Sequence, residues 1–122
     1  MSNLQAVPAD LPMTCRIGDT FLPEAIVLVE DNESTLVDIT GASAEFVLYL
    51  PNGTTPLLEL ESGVSNPDGS LTIDDEASSI QIEINAEFTA ERQACPHKYF
   101  LRLTYQSGQV QTILASKLTF YE

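Results

Sequence analysis

From Met13 onward, apolar and polar residues alternate in short runs, and no stretch of ten or more residues carries a helical period. The clearest run is Ala44-Glu45-Phe46-Val47-Leu48-Tyr49-Leu50, whose even positions Ala44, Phe46, Leu48 and Leu50 are all apolar. A two-residue repeat sends successive side chains to opposite faces, so this run predicts a strand with that face on a core. Pro51-Asn52-Gly53 ends it with residues suited to a tight turn. The same pattern predicts inward-facing Ile80, Ile82 and Ile84 in one strand. In another it predicts inward-facing Tyr99, Leu101, Leu103 and Tyr105, closed by a Ser107-Gly108 hairpin turn.

Other segments are shorter or less regular. Thr14-Cys15-Arg16-Ile17 reads as a first strand ended by Gly18-Asp19. Ala25 to Glu30, rich in Val, Ile and Leu, predicts a strand covered on both faces or placed centrally. Asp31-Asn32-Glu33-Ser34 turns the chain into a short strand, Leu36 to Ile39, which leads to Thr40-Gly41. Leu57 to Leu60 and Leu71 to Ile73 flank an Asn66-Pro67-Asp68-Gly69 turn. Ala86 to Arg92 predicts a single helical turn, with Phe88 as a lid on one end of the core. The last run keeps apolar or Thr residues at Val110, Thr112, Leu114, Leu118 and Phe120, with Ser116 the polar member. A strand this long predicts a bulge near Ala115-Ser116.

Seven or eight short strands with turns between them and no intervening helices predict an all-β, immunoglobulin-like antiparallel β-sandwich. Residues 13–122 form that single domain. Residues 1–12, with two prolines and no period, read as an extended N-terminal arm whose Leu4, Val7 and Leu11 are candidates to dock on a neighbouring subunit. The competing reading of the arm is a disordered terminus. The antibody hallmark Cys…Trp…Cys is absent, because the chain has no Trp.

At 122 residues the chain is long enough for one core, and 43% hydrophobic residues exclude disorder by composition. Eighteen acids against five bases give a formal net charge of −13, which argues against nucleic acid or a polybasic membrane anchor as partner. No apolar run approaches the roughly 18 residues of a spanning helix. Met1-Ser2-Asn3-Leu4-Gln5 has neither a basic nor an apolar leader region, so no signal peptide is expected. The charge is also unevenly spread. Residues 17–91 hold 16 acids and no Lys or Arg, whereas Arg92, Lys98, Arg102 and Lys117 face only Glu122 in the last 31 residues. In a sandwich this split along the chain can become a split in space. It is read either as a solvated acidic surface or as electrostatic complementarity with an assembly partner.

Chemistry-bearing motifs are sparse. Cys15 and Cys95 form no CxxC pair, and without a secretion signal free thiols are the default. Cys95-Pro96-His97 places a thiol and an imidazole nearly adjacent, a poor geometry for a nucleophile and its base, with no orienting third group. Asp74-Asp75-Glu76 and Asp31-Asn32-Glu33 offer oxygen ligands but match no defined calcium loop. His97 reads as a surface or turn residue rather than a metal ligand. No catalytic, cofactor or metal residue is assigned, and the chain is expected not to be an enzyme.

A set of motifs does carry a resemblance. Gly18-Asp19-Thr20-Phe21 is followed by Val37-Asp38-Ile39-Thr40-Gly41-Ala42, the Ala44 to Leu48 strand, and Asp68-Gly69 before Leu71-Thr72-Ile73. Then come Glu87-Phe88-Thr89-Ala90-Glu91, His97 to Thr104, the Gly108 hairpin and Leu118-Thr119-Phe120. In this order the chain resembles, over residues 13–121, the small immunoglobulin-like β-sandwich domains of tailed bacteriophages. Those domains occur as free-standing virion proteins and as the N-terminal domain of upper baseplate proteins. That family usually has Gly before the Tyr of the late strand. Here Pro96-His97-Lys98 precedes Tyr99, so the turn is expected to take a different shape.

The motifs also have a local physical reading. Asp19 and Thr20 side chains suit a bend in which they satisfy backbone N–H groups. Gly41 suits a tight crossover between sheets.

The resemblance implies a non-enzymatic structural component of the virion, an adaptor at the tail, baseplate or fibre base. It would be assembled in the bacterial host cytoplasm from symmetric copies, with other virion proteins as partners, no cofactor, no nucleic acid and no membrane. A capsid decoration protein is the near alternative. A carbohydrate- or cell-surface-binding module is a further one, and it would need exposed aromatics at a loop cluster.

Overall fold

Strand-forming alternation becomes two packed sheets in the computed structural model, which describes residues 10–29 and 35–122. Its strands are β1 (Met13–Arg16), β2 (Ile26–Val27), β3 (Ser43–Tyr49), β4 (Pro56–Glu61), β5 (Gly69–Asp74), β6 (Ser79–Ile84), β7 (Pro96–Thr104) and β8 (Val110–Tyr121). One helical turn, α1 (Ala86–Thr89), lies between β6 and β7. The larger sheet has the order β1-β8-β7-β3-β4 and the smaller one β2-β6-β5. The chain is an all-β, two-sheet protein.

The alternating runs bury the side chains they predicted. Phe46, Leu48, Ile80, Ile84, Leu101 and Leu103 are all at 0% exposure, and they line the space between the sheets. Phe88 on α1 is buried in that core. Asn52 caps its own turn, accepting from the Thr54 and Thr55 N–H groups, and Gly53 and Gly108 both take positive φ.

Four local expectations are corrected. First, the sandwich is not purely antiparallel: β1 runs parallel to β8, in register from Met13–Leu118 to Arg16–Tyr121. Strands joined by a tight hairpin must be antiparallel, but the first and last strands share no such turn and either direction is open to them.

Second, Ala25 to Glu30 is not a central strand. Among its described residues only Ile26 and Val27 pair with the smaller sheet, at its edge, and Val27 is 54% exposed. Leu28 then leaves the ladder for the core, held by its N–H to the Ser78 carbonyl at 2.8 Å. Ser78, at φ 52, donates its hydroxyl to the Val37 and Leu28 carbonyls and pins both segments. Third, Leu36 to Ile39 makes one bridge, Leu36 to Val29, rather than a strand. Val37 and Ile39 still fill the core.

Fourth, the bulge in β8 sits at Ile113 and not near Ala115-Ser116. Leu101 pairs with Leu114 and Arg102 with Thr112, leaving Ile113 unpaired. One extra residue exchanges the two faces. Gln111 and Ile113 are therefore buried before the bulge and Leu114, Leu118 and Phe120 after it, while Val110 is exposed.

The Gly18-Asp19-Thr20 bend is held by a residue remote in sequence. Thr89, fully buried in α1, accepts from the Gly18 N–H at 3.1 Å and donates to the Asp19 carbonyl at 2.7 Å. The side chains of Asp19 and Thr20, expected to do this, are exposed. Thr89→Val keeps the shape and orphans both backbone groups. The expected loss is about 2 kcal/mol of unfolding free energy by chemical denaturation, with Thr89→Ser retaining most of it. At the second motif the expectation holds. Gly41 has φ 75, and Asp38 accepts from the Thr40 N–H at 3.0 Å, a bond that holds the Asp38 carboxyl below its ordinary range.

Candidate functional site

Of the three residues expected to make assembly contacts, Leu11 is described. Leu4 and Val7 lie outside the described residues. Leu11 is 41% exposed, and its carbonyl accepts the Tyr99 hydroxyl. Beside it, Asp10 accepts the Ser116 hydroxyl. The base of the arm is therefore fastened to β7 and β8. Burial, with the Asp10 charge added, pushes the Tyr99 phenol up to about 12, so it stays a donor across the working pH range.

The outward face of the larger sheet is the most distinctive surface. Arg16 on β1, Lys117 on β8, and Lys98 and Arg102 on β7 all alternate with buried neighbours, so four of the chain's five basic residues point out from one sheet. The fifth, Arg92, covers the Phe88 ring at 4.2 Å and donates to the Phe88 carbonyl. Tyr49 and Phe100 lie among these charges with ring centroids 6.0 Å apart. The Arg102 guanidinium sits 4.6 Å above the Phe100 ring and 3.5 Å from Glu45. Asp10, Pro12, Tyr49, Lys98, Phe100 and Lys117 help to line a shallow groove of about 650 Å³ on this face.

Register adds a feature that composition hides. Lys98 lies directly opposite Lys117, and Glu45 directly opposite Glu61, with Glu59 two residues along β4. Like charges facing each other across a ladder repel, so the lysine pair opposes the sheet that carries it, while the Arg102 ion pair to Glu45 offsets the repulsion between the glutamates. A local conflict of this kind is expected where a surface serves something other than stability. The lysine pair and the glutamate pair occupy different corners of one face. On this sheet the split of charge along the chain has become a split in space.

Sequence reasoning placed Phe100 on the outward side of its strand but did not single it out. The available signal was an aromatic residue in the polar slots of two alternating strands, Tyr49 and Phe100. The pairing of Lys98 with Lys117 had no sequence signal, because it depends on the β7–β8 register and its bulge.

The remaining candidates are structural. His97 is not a surface residue. It is 1% exposed on β7, its Nδ1 lies 2.9 Å from the Cys95 carbonyl, and its ring meets Phe120 edge-on at 5.0 Å. Pro96, His97 and Lys98 already belong to the strand that carries Tyr99. Burial, aided by Arg92, lowers the His97 pKa below its ordinary 6.5 despite an opposing backbone hydrogen bond. The unfolded chain then takes up the proton first on acidification. The histidine's contribution to stability is present above pH 6.5 and lost as pH falls through 6.5 towards the folded value. An NMR titration of the single histidine is expected to give a midpoint below 6.5. A midpoint at or above that value would contradict a desolvated ring.

Cys15 and Cys95 are free thiols, and burial, with Asp19 nearby, pushes the Cys15 thiol up and away from reactivity. Asp74 spends its carboxylate on the Glu76 and Ala77 N–H groups of its own turn. Asp31-Asn32-Glu33 lies outside the described residues. Among the described residues no three His, Cys, Asp or Glu side chains gather as a metal site, and no helix is long and apolar enough to cross a membrane.

No protein-family model matches the chain, and no curated protein matches it.

Proposed function

We propose that this chain is a non-enzymatic structural component of a tailed-phage virion, an adaptor that joins neighbours at the tail, baseplate or fibre base through its surfaces. The observation that carries the reading is the outward face of the larger sheet. There an aromatic pair, Tyr49 and Phe100, lies beside two lysines whose register works against the sheet itself. A face tolerating that repulsion suits a neighbour that brings negative charge to the lysine corner. The motif order from Gly18 to Phe120 supplies the phage assignment.

Strand connectivity supports the finer, immunoglobulin-like description. β2-β6-β5 packed against β3, β7 and β8 corresponds to the B-E-D and C-F-G strands of that fold. Of the four tyrosines, Tyr99 and Tyr105 are buried, which leaves no loop cluster of tyrosines for a sugar and favours assembly over glycan binding.

Locating the chain in the density of an intact particle tests the reading directly. Absence from purified virions sinks it. The arm is tested separately. Removing residues 1–12 would also remove the Leu11 carbonyl that Tyr99 uses, so the cleaner variant lacks residues 1–9. It is expected to unfold at the wild-type temperature and to enter particles less efficiently. Unchanged incorporation removes the arm from the mechanism.

A further inference from the structure

We infer that the outward face of the larger sheet is self-complementary and closes a two-fold dimer with a second copy of this chain. This goes beyond the virion assignment and does not depend on it.

The face carries its opposite charges at separate corners. Lys98 and Lys117 stand together on β7 and β8, with Arg16 further along on β1. Glu61 and Glu59 stand on β4, with Glu45 beside them on β3. Phe100 lies between the two groups on β7, the middle strand of the sheet, directly opposite Val47 and Ala115. A two-fold axis in the plane of contact, passing near Phe100, lays the lysine corner of one copy over the glutamate corner of the other, and the reverse at the far side. The lysine pair, repulsive within its own sheet, then faces carboxylates, and Glu59 and Glu61 face lysines, while Glu45 keeps its Arg102 partner. The aromatic rings meet at the centre, where an isologous interface excludes water best.

Size sets the expected strength. Five strands at about 4.8 Å spacing, each contributing about six residues at about 3.4 Å, present a face of about 20 by 20 Å. Two such faces cover about 800 Å² in flat projection, below the roughly 1,200 Å² at which stable specific interfaces begin, so the dimer is expected to be weak and to depend on concentration. The net charge of −13 opposes association. At physiological ionic strength repulsion between acids far from the contact is screened over about 8 Å, whereas facing pairs at contact distance are not.

Sedimentation equilibrium of the full chain over a dilution series, at constant physiological salt, tests the dimer. The wild type is expected to move from 13.3 kDa towards twice that mass as concentration rises. Lys98→Glu with Lys117→Glu turns the lysine corner acidic and leaves Arg16 and Arg102 in place, and Glu59→Lys with Glu61→Lys turns the outer acidic corner basic. All four side chains are exposed, so both variants are expected to keep the wild-type circular dichroism. Each alone is expected to dimerise about 10-fold more weakly or worse, and an equimolar mixture of the two to recover the wild-type mass. A wild type that stays monomeric throughout overturns the proposal. So does a dimer indifferent to the glutamate reversal, which would place the lysines on some other surface, and so does a mixture that fails to recover.

Discussion

Phe46→Ala is expected to lower the unfolding free energy by about 3–5 kcal/mol, the largest effect of any substitution considered. Phe46 is fully buried near the middle of β3, opposite Leu101 on β7 and Leu60 on β4, themselves at 0% and 1% exposure. Its ring lies 5.5 Å from that of Tyr99, which in turn holds the base of the arm through Leu11. Truncation removes the transfer free energy of the ring and leaves a void that strands fixed on both sides cannot collapse to fill. Single domains are stable by only about 5–15 kcal/mol, so this one change removes a large fraction of the total. Urea unfolding is expected to show a lower midpoint with an unchanged slope. A loss below about 1 kcal/mol would mean that the core is not centred on β3.

Gly69→Ala comes second, at about 3 kcal/mol. At this position a Cβ would stand 2.3 Å from the backbone carbonyl oxygen of Glu83, on the strand paired with β5. Backbone has no rotamer with which to move aside, so β5 must separate from β6 at its first pair, Gly69 with Ile84. The contact alone produces the effect, since Gly69 does not need a positive φ. Gly63→Ala is the matched control, because Gly63 has φ +77 but open space around it. It is expected to cost about 1 kcal/mol through conformation only. Chemical denaturation ranks the pair, and amide exchange is expected to show lost protection along β5 for Gly69→Ala alone. Equal losses in the two variants would refute the steric account.

Much of the architecture is carried by contiguous residues and was legible without coordinates. The inward faces of Ala44 to Leu48, Ile80 to Ile84 and Tyr99 to Leu103 follow from strict alternation, a signal each segment holds by itself. The turns at Asn52-Gly53 and Ser107-Gly108, and the burial of Phe88, follow from residue chemistry over four or five positions. Ala25 to Glu30 misled because an apolar run says that side chains are buried and not which ladder buries them. Leu28 reaches the core after β2 has ended.

Sequence alone determined that the chain folds as all-β layers, which side chains of its alternating strands face inward, and that its bases gather late in an otherwise acidic chain. Tertiary structure decided the relations between remote segments: the parallel pairing of β1 with β8, the bulge at Ile113, and the use of the Thr89 hydroxyl by Gly18 and Asp19. It also decided the burial of His97 and the meeting of Lys98 with Lys117. The division has a physical cause. Alternation, turn preference and charge are properties of neighbours along the chain. Register and hydrogen-bond partnership between distant residues are set by packing all the strands at once, where a one-residue slip sends every side chain to the opposite face.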